Sequence, residues 1–385
     1  MVTTHVFIVD STTFKLHLEY LFAGTGAKDT KIDFNNSPDS SLQHTQEKNL
    51  VEMIADSQRI RKGDFIIFYL QQDHSKYIYE GKFYGIFKAV EDLSFLDNND
   101  TSQFLKSELN KSLTFRTLIE PFEVYPIGVT EWEALDEIKS IKSPFQMLWS
   151  LIYRKLKANR GNTMITLYEA DRLFKLIRDK NERNALNSNK LTFDLTTQRI
   201  TKDTTEYRYN GRKVVINILP RLIDKYSTNK AFEAHLQAYI VQRIGRGLNI
   251  SLDKVILGEE KFEWLGNEVS CGVGMQRIDI TLSIKRESSR LVIPIELKAV
   301  EASDINVIQI KRYVDWLEQY YLPNMISDIQ PVLISKKITD KTNEKYKELI
   351  ASFKKFNKEN SNCLKLKYIE YEIANNDLFF TEVSY

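Results

Sequence analysis

Two stretches decide the fold of the C-terminal half: Arg277-Ile278-Asp279-Ile280-Thr281-Leu282 and Val292-Ile293-Pro294-Ile295-Glu296-Leu297-Lys298. With a period of two, Arg277, Asp279, Thr281 and Ser283 share one face of a strand, while Ile278, Ile280, Leu282 and Ile284 share the other. In the second stretch Leu291, Ile293, Ile295 and Leu297 form the apolar face, so Glu296 and Lys298 project together from the opposite one. The polar run Lys285 to Arg290 is turn-like, which predicts a hairpin that brings Asp279 close to Glu296 and Lys298. A charged side chain on a strand is ordinarily a solvated face. Here the apolar density around the three predicts a sheet with little free surface. Two carboxylates and an amine converging in such a sheet suit a divalent metal that activates water against a phosphodiester. Pro294 cannot donate to a ladder, so an unpaired or bulged position is expected there.

Two helices flank this pattern. Asn229 to Ile244 carries Phe232, Leu236, Tyr239, Ile240 and Ile244 at helical spacing. Glu233 sits on or beside that stripe, where an unpaired carboxylate is costly, so a metal or Lys298 is its expected partner. The alternative is a boundary Glu whose head reaches water. After the second strand, Ser303 is expected to cap a helix from about Ile305 to Tyr320, with Asp304 in its first turn. Gln309, Tyr313 and Trp316 share one face of it, and a Gln in an aromatic stripe needs partners for its amide.

The order Glu233, Asp279, Glu296-Leu297-Lys298, Gln309-x-x-x-Tyr313 resembles the PD-(D/E)xK nuclease superfamily. The stretch Gln276 to Leu317 is similar to the archaeal NucS/EndoMS endonucleases, and the likeness covers about residues 219 to 335. It implies a restriction-endonuclease-like α/β domain with a mixed central sheet. It further implies that Asp279 and Glu296 ligate Mg²⁺, with Mn²⁺ as a substitute and Glu233 as an additional acidic ligand. Lys298 would orient or activate the water and offset charge on the phosphate. Gln309 and Tyr313 match the helical motif that supports the site in RecB-like members.

The first half reads differently. His5 to Val9 and Phe65 to Leu70 are apolar strands, the second preceded by the turn Arg61-Lys62-Gly63-Asp64. Lys76 to Tyr79, Gly81 to Val90 and Phe115 to Val129 continue the β pattern. Helical stretches near Phe14 to Leu21, Leu50 to Ser57, Ser143 to Lys157 and Leu167 to Arg178 frame them. A small, strongly bent sheet or barrel with peripheral helices is expected. Most of its aromatics (Phe65, Phe68, Tyr69, Tyr79, Phe83, Tyr84, Phe87 and Trp149) are expected in the core. The stretches His5 to Asp10, Phe22-Ala23-Gly24-Thr25-Gly26 and Ile60 to Tyr69 resemble the EVE/YTH branch of PUA-like domains, over about residues 1 to 180. That resemblance implies a cleft that receives one extruded base, sometimes a modified one, between aromatic and polar side chains.

Asp179 to Thr205 is rich in Asn, Lys, Arg, Asp and Thr and reads as a linker, with a short hairpin where Leu191-Thr192-Phe193-Asp194 precedes Arg208 to Ile218. Lys336 to Asn362 reads as a helix with Tyr346, Leu349, Ile350, Phe353 and Phe356 on its apolar face. Cys363 to Ile373 and Leu378 to Val383 are candidate strands of the same sheet. A chain of 385 residues holds two domains with full cores. Its net charge of +2 gives no overall electrostatic footprint for nucleic acid, so a DNA surface must come from uneven placement of its 54 Lys and Arg. Two cysteines without a CxxC, and five scattered histidines, argue against zinc and against a disulfide scaffold. No apolar run approaches a membrane span, and Met1 to Asp10 lacks a signal pattern, so a reduced cytoplasmic protein is the default.

The expectation is thus an α+β and α/β chain. Residues 1–180 form a PUA/EVE-like β-barrel-type recognition domain, 181–211 a linker, and 212–385 the nuclease domain. Its expected activity is metal-dependent cleavage of double-stranded DNA at a site, or a modified base, chosen by the N-terminal module, as in restriction. The alternatives are a NucS-like mismatch or structure-specific repair nuclease and a non-catalytic nucleic-acid reader. One site of this kind attacks one strand, so a double-strand break implies a homodimer.

Overall fold

The computed structural model describes residues 3–26, 44–136, 142, 161–230, 232–271, 276–321 and 329–385. These fall into two units. One gathers 3–26, 56–136, 142 and 161–216; the other gathers 44–55 and the described residues from 217 onward.

In the first unit the β-rich reading becomes strands β1 Thr4–Val9 and β2 Phe22–Thr25 around helix α1 Ser11–Glu19. Helix α2, His44–Gln58, whose residues 44–55 belong to the other unit, precedes β3 Phe65–Leu70, β4 Lys82–Ala89 and β5 Phe95–Leu96. Then come α3 Lys106–Leu109, β6 Phe115–Pro121, β7 Val129–Thr130, α4 Glu131–Asp136, β8 Asn162–Ile165 and α5 Leu167–Lys180. Strands β9 Leu191–Asp194, β10 Arg199–Lys202 and β11 Val214–Val215 complete it. The main sheet runs β11-β5-β6-β4-β3-β1-β8, with β2 on β6 and β7 on β4. Its two ends do not pair, so among the described residues the sheet stays open instead of closing into the expected barrel. Lys76 to Tyr79 is not a strand: Asp73 accepts from the Ser75 N–H and caps a short 3₁₀ turn at His74–Lys76. The helix expected at Ser143 to Lys157, with Trp149, lies outside the described residues.

The stretch read as a linker is folded. Strands β9 and β10 pair with each other, not with the 208–218 segment, and Leu191, Phe193 and Ile200 enter the core beside Phe14, Phe68 and Tyr84. Composition misled here because three apolar side chains at alternate positions are enough to bury one face of a short hairpin.

The second unit begins with α6 Leu219–Ser227, α7 Glu233–Arg243 and α8 Ile250–Ile256. Strands β12 Phe262–Ser270, β13 Arg277–Lys285 and β14 Arg290–Lys298 follow, then α9 Asp304–Trp316, which runs on as a π turn at Leu317–Tyr321. Strand β15 Val332–Lys336, α10 Glu344–Glu359, β16 Lys367–Ala374 and β17 Asp377–Glu382 close the chain. The six strands lie in sequence order, antiparallel at β12-β13-β14 and β16-β17 and parallel at β14-β15-β16. A parallel pair needs a crossover, and α9 and α10 supply the two required. The sheet is mixed, and β16 and β17 occupy the positions the C-terminal apolar runs suggested. Both cysteines are free thiols, and among the described residues no helix is long and apolar enough to cross a membrane.

Candidate functional site

The hairpin forms in the register that the alternation predicts, with Ile280 opposite Ile295 and Lys285 opposite Arg290. Pro294 is not bulged; it stands in register with Thr281. The Leu297 N–H points towards β13, so with a period of two Pro294 faces β15 instead. There it falls between the isolated bridge Val292–Ile329 and the first ladder pair, Ile295–Val332, so its missing N–H interrupts no run of bonds.

The ladder ends at Ile280–Ile295, one residue short of Asp279 and Glu296. Asp279 has no register partner on either neighbouring strand. Its carboxylate accepts from the Leu297 N–H at 2.8 Å, and its carbonyl accepts from the Gln237 amide of α7, also at 2.8 Å. The opening lets two acids lie side by side. Glu296 is buried; its Oε1 is 2.6 Å from the Lys298 ammonium and its Oε2 is 2.6 Å from the Tyr313 hydroxyl. The same hydroxyl is 2.9 Å from the Arg277 carbonyl. Asp279 is held well above the usual carboxylate range, first by burial and then by the Glu296 charge. For Lys298 burial works against the charged form, but Glu296 outweighs it, and the ammonium titrates above its ordinary value. Cys271 shares the wall: burial, then Glu296 and Asp279, push its thiol up to about 12.

Asp279, Glu296, Lys298 and Tyr313 are therefore brought together. Glu233 is not buried as its place in the stripe suggested. The helix begins at this residue instead of at Asn229, and its side chain is 53 % exposed and 3.7 Å from Lys298. Of the two partners expected for it, Lys298 is the one it meets. Gln309 is half-buried and, among the described residues, makes no hydrogen bond, so its amide is not tied into the site. Ser303 does stand at the N-cap of α9, and its N–H donates to Asn306 at 2.9 Å. Gln237 escaped the sequence reading, although its i+4 spacing from Glu233 places it on the same helix face.

Among the described residues no group of three or more His, Cys, Asp or Glu side chains could hold a metal ion. What remains at the centre is a two-carboxylate site, Asp279 and Glu296. Its donor set still suits Mg²⁺, which commonly takes one or two carboxylates and keeps several waters. The charge balance points the same way, because Asp279, Glu296 and Glu233 face one ammonium.

The first unit holds a cleft of about 450 Å³ lined by Asp10, His17, Thr25, Gln71, Asn110 and Lys111, among others. Among the described residues, none of the seven remaining aromatics singled out from the sequence lines it. Phe68, Tyr69, Phe83, Tyr84 and Phe87 are buried in the core, and Tyr79 is exposed. Asp10 caps α1 through the Thr13 N–H and pairs with Lys111; burial raises its pKa, but these contacts outweigh that and lower it. His17 is fully buried, and among the described residues neither ring nitrogen has a partner in full hydrogen-bond geometry. Burial, then the Arg116 charge, lowers its pKa to about 3, so the ring is neutral.

No protein-family model and no curated protein sequence matches this chain. A solved structure described as a hypothetical protein from Leishmania major is similar over 47 % of this chain and 97 % of that one, at 10 % identity and a TM-score of 0.29. A likeness that weak carries no argument about fold or function.

Proposed function

We propose that this protein is a divalent-metal-dependent DNA endonuclease of the PD-(D/E)xK kind, cutting where its N-terminal unit reads a site or a modified base. The observation that carries the proposal is the opened ladder, which sets two acids, the half-buried Asp279 and the buried Glu296, beside the Lys298 ammonium. A divalent ion bound there would lower the pKa of a coordinated water and neutralise charge on the phosphate. Asp279 and Glu296 would hold it, and Tyr313 and the Leu297 N–H fix how the two carboxylates point. Lys298 stays protonated beside Glu296, so its part is to offset charge on the phosphate and orient water, not to take a proton. Glu233, exposed at the edge, would steer Lys298 or hold a metal-bound water.

The base reader would be the cleft at Asp10, His17 and Lys111, since two of the stretches that resemble the EVE/YTH branch contribute its lining residues Asp10, Gly24, Thr25 and Gly26. Cutting both strands would require a homodimer. The test is supercoiled plasmid with Mg²⁺ or Mn²⁺, carrying unmodified, methylated or hydroxymethylated bases, alongside duplexes with single mispairs. Cuts at defined sites are expected. Cutting at mispairs alone would favour a repair nuclease, and binding without cutting would leave a reader.

A further inference from the structure

Helix α7 supplies Glu233 and Gln237 to the site without a side-chain N-cap: Phe232 offers no hydrogen bond, and its buried ring packs against Tyr226. Contacts along the helix must help to place it. At about 100° per residue, Glu233 and Gln237 share one side and His235 points to the other. On that other side His235 Nε2 lies 2.9 Å from Glu47 Oε1. Glu47 is buried, and its carboxylate also accepts from Arg221 at 2.7 and 3.1 Å and from Lys225 at 2.9 Å, both on α6. Arg221, Lys225 and His235 are themselves buried. One carboxylate, 188 positions before His235, thus receives donors from both α6 and α7.

We propose that Glu47 is a positioning residue for the nuclease site: it fixes α7, and through α7 both Glu233 and the Gln237 bond to Asp279. The inference rests on the nuclease reading for its catalytic consequence, but not for its structural one. It also means that the cutting unit is built from two separated stretches of chain, 44–55 and 217 onward.

The test compares full-length wild type, Glu47→Gln and Glu47→Asp by hydrogen exchange and by plasmid cleavage with Mg²⁺. Glu47→Gln should speed exchange of the α7 amides at least about 10-fold while β13 and β14 keep their protection. It should lower kcat by about 10- to 100-fold, as loss of an outer-shell partner does, with KM for DNA unchanged. Glu47→Asp, which keeps the charge, should recover part of both. If Glu47→Gln does not fold, the charge-balanced Glu47→Gln/Lys225→Met variant replaces it with the same expectations. Wild-type exchange in α7 together with wild-type kcat overturns the proposal, and so does an equal rise in exchange across every element of the unit. A wild type that never cuts, but whose α7 loosens in Glu47→Gln, supports the positioning role and removes the nuclease reading instead.

Discussion

Glu47, which is buried, and the pair of half-buried Asp279 and buried Glu296 are carboxylates of the same unit, and the fold treats them in opposite ways. Glu47 is oversupplied. Burial alone would raise its pKa, but hydrogen bonds from His235, Arg221 and Lys225 outweigh it and hold the carboxyl far below its usual range. Among the described residues the Asp279–Glu296 pair is undersupplied: one ammonium, one phenol and one backbone N–H serve two acids, and Asp279 is pushed the other way. A saturated buried charge locks structure, whereas an unsaturated one keeps capacity for a cation. The difference in supply, more than burial itself, separates the structural carboxylate from the candidate chemical one.

The largest effect that tests this contrast is on cleavage. Asp279→Ala and Glu296→Ala should each reduce DNA cutting to background while leaving DNA affinity within a few-fold of wild type in a mobility-shift titration. Lys298→Ala should be as inactive, yet still bind Mn²⁺ by calorimetry, because the two oxygen donors remain. Near-normal cutting by either carboxylate variant would remove the site.

Stability should divide the two regions next. Glu47→Ala strands buried cations and should cost about 3–5 kcal/mol in denaturant unfolding, the usual penalty for removing one partner of a buried pair. Asp279→Asn relieves repulsion between neighbouring acids and should leave stability unchanged or raised. A fragment starting at residue 212, the domain boundary suggested by sequence, lacks Glu47 and should show no cooperative thermal transition by circular dichroism. A well-folded fragment would mean that the saturated carboxylate is dispensable.

How much of this was legible follows from the range of the contacts. The hairpin and the partnership of Asp279, Glu296 and Lys298 were readable because strand alternation and a short turn fix them within about twenty residues. Tyr313 was reached only through the resemblance to RecB-like members, since helical spacing alone reads an aromatic stripe as core packing. The opened ladder at Asp279 was not legible, since it depends on Gln237 and on the gap in the β12 pairing between Asn267–Ile280 and Val269–Ile278. Nor was Glu47, an ordinary Glu in an amphipathic helix whose partners lie 174 and 188 positions away. Glu233 follows the second of its two readings, a boundary carboxylate whose head reaches water, because side chains in the first turn of a helix can still reach solvent. In the first unit the strands were evident, but the cleft forms where β1, α1 and β2 meet loops from distant stretches, and sequence aromatics pointed to the core instead.

The smallest effect is on the pH dependence of folding, where the two sites should carry opposite signs. Glu47 has a lowered folded pKa, so its stabilisation is fully present above the ordinary Glu value of about 4.3 and is lost as pH falls below it. The stability difference between wild type and Glu47→Gln should therefore grow as pH rises through that value. Asp279 has a raised folded pKa, so the native state keeps a proton that the unfolded chain gives up above about 3.9. Wild type should accordingly lose ground to Asp279→Asn as pH rises from there towards the folded pKa, then hold a constant deficit. If the pair binds a divalent ion as proposed, saturating Mg²⁺ should cancel this second trend and leave the first untouched, because only the Asp279–Glu296 pair has charge left to give. Urea unfolding at closely spaced pH values, with and without Mg²⁺, reads both trends in one series. Two slopes of the same sign would erase the distinction between the regions.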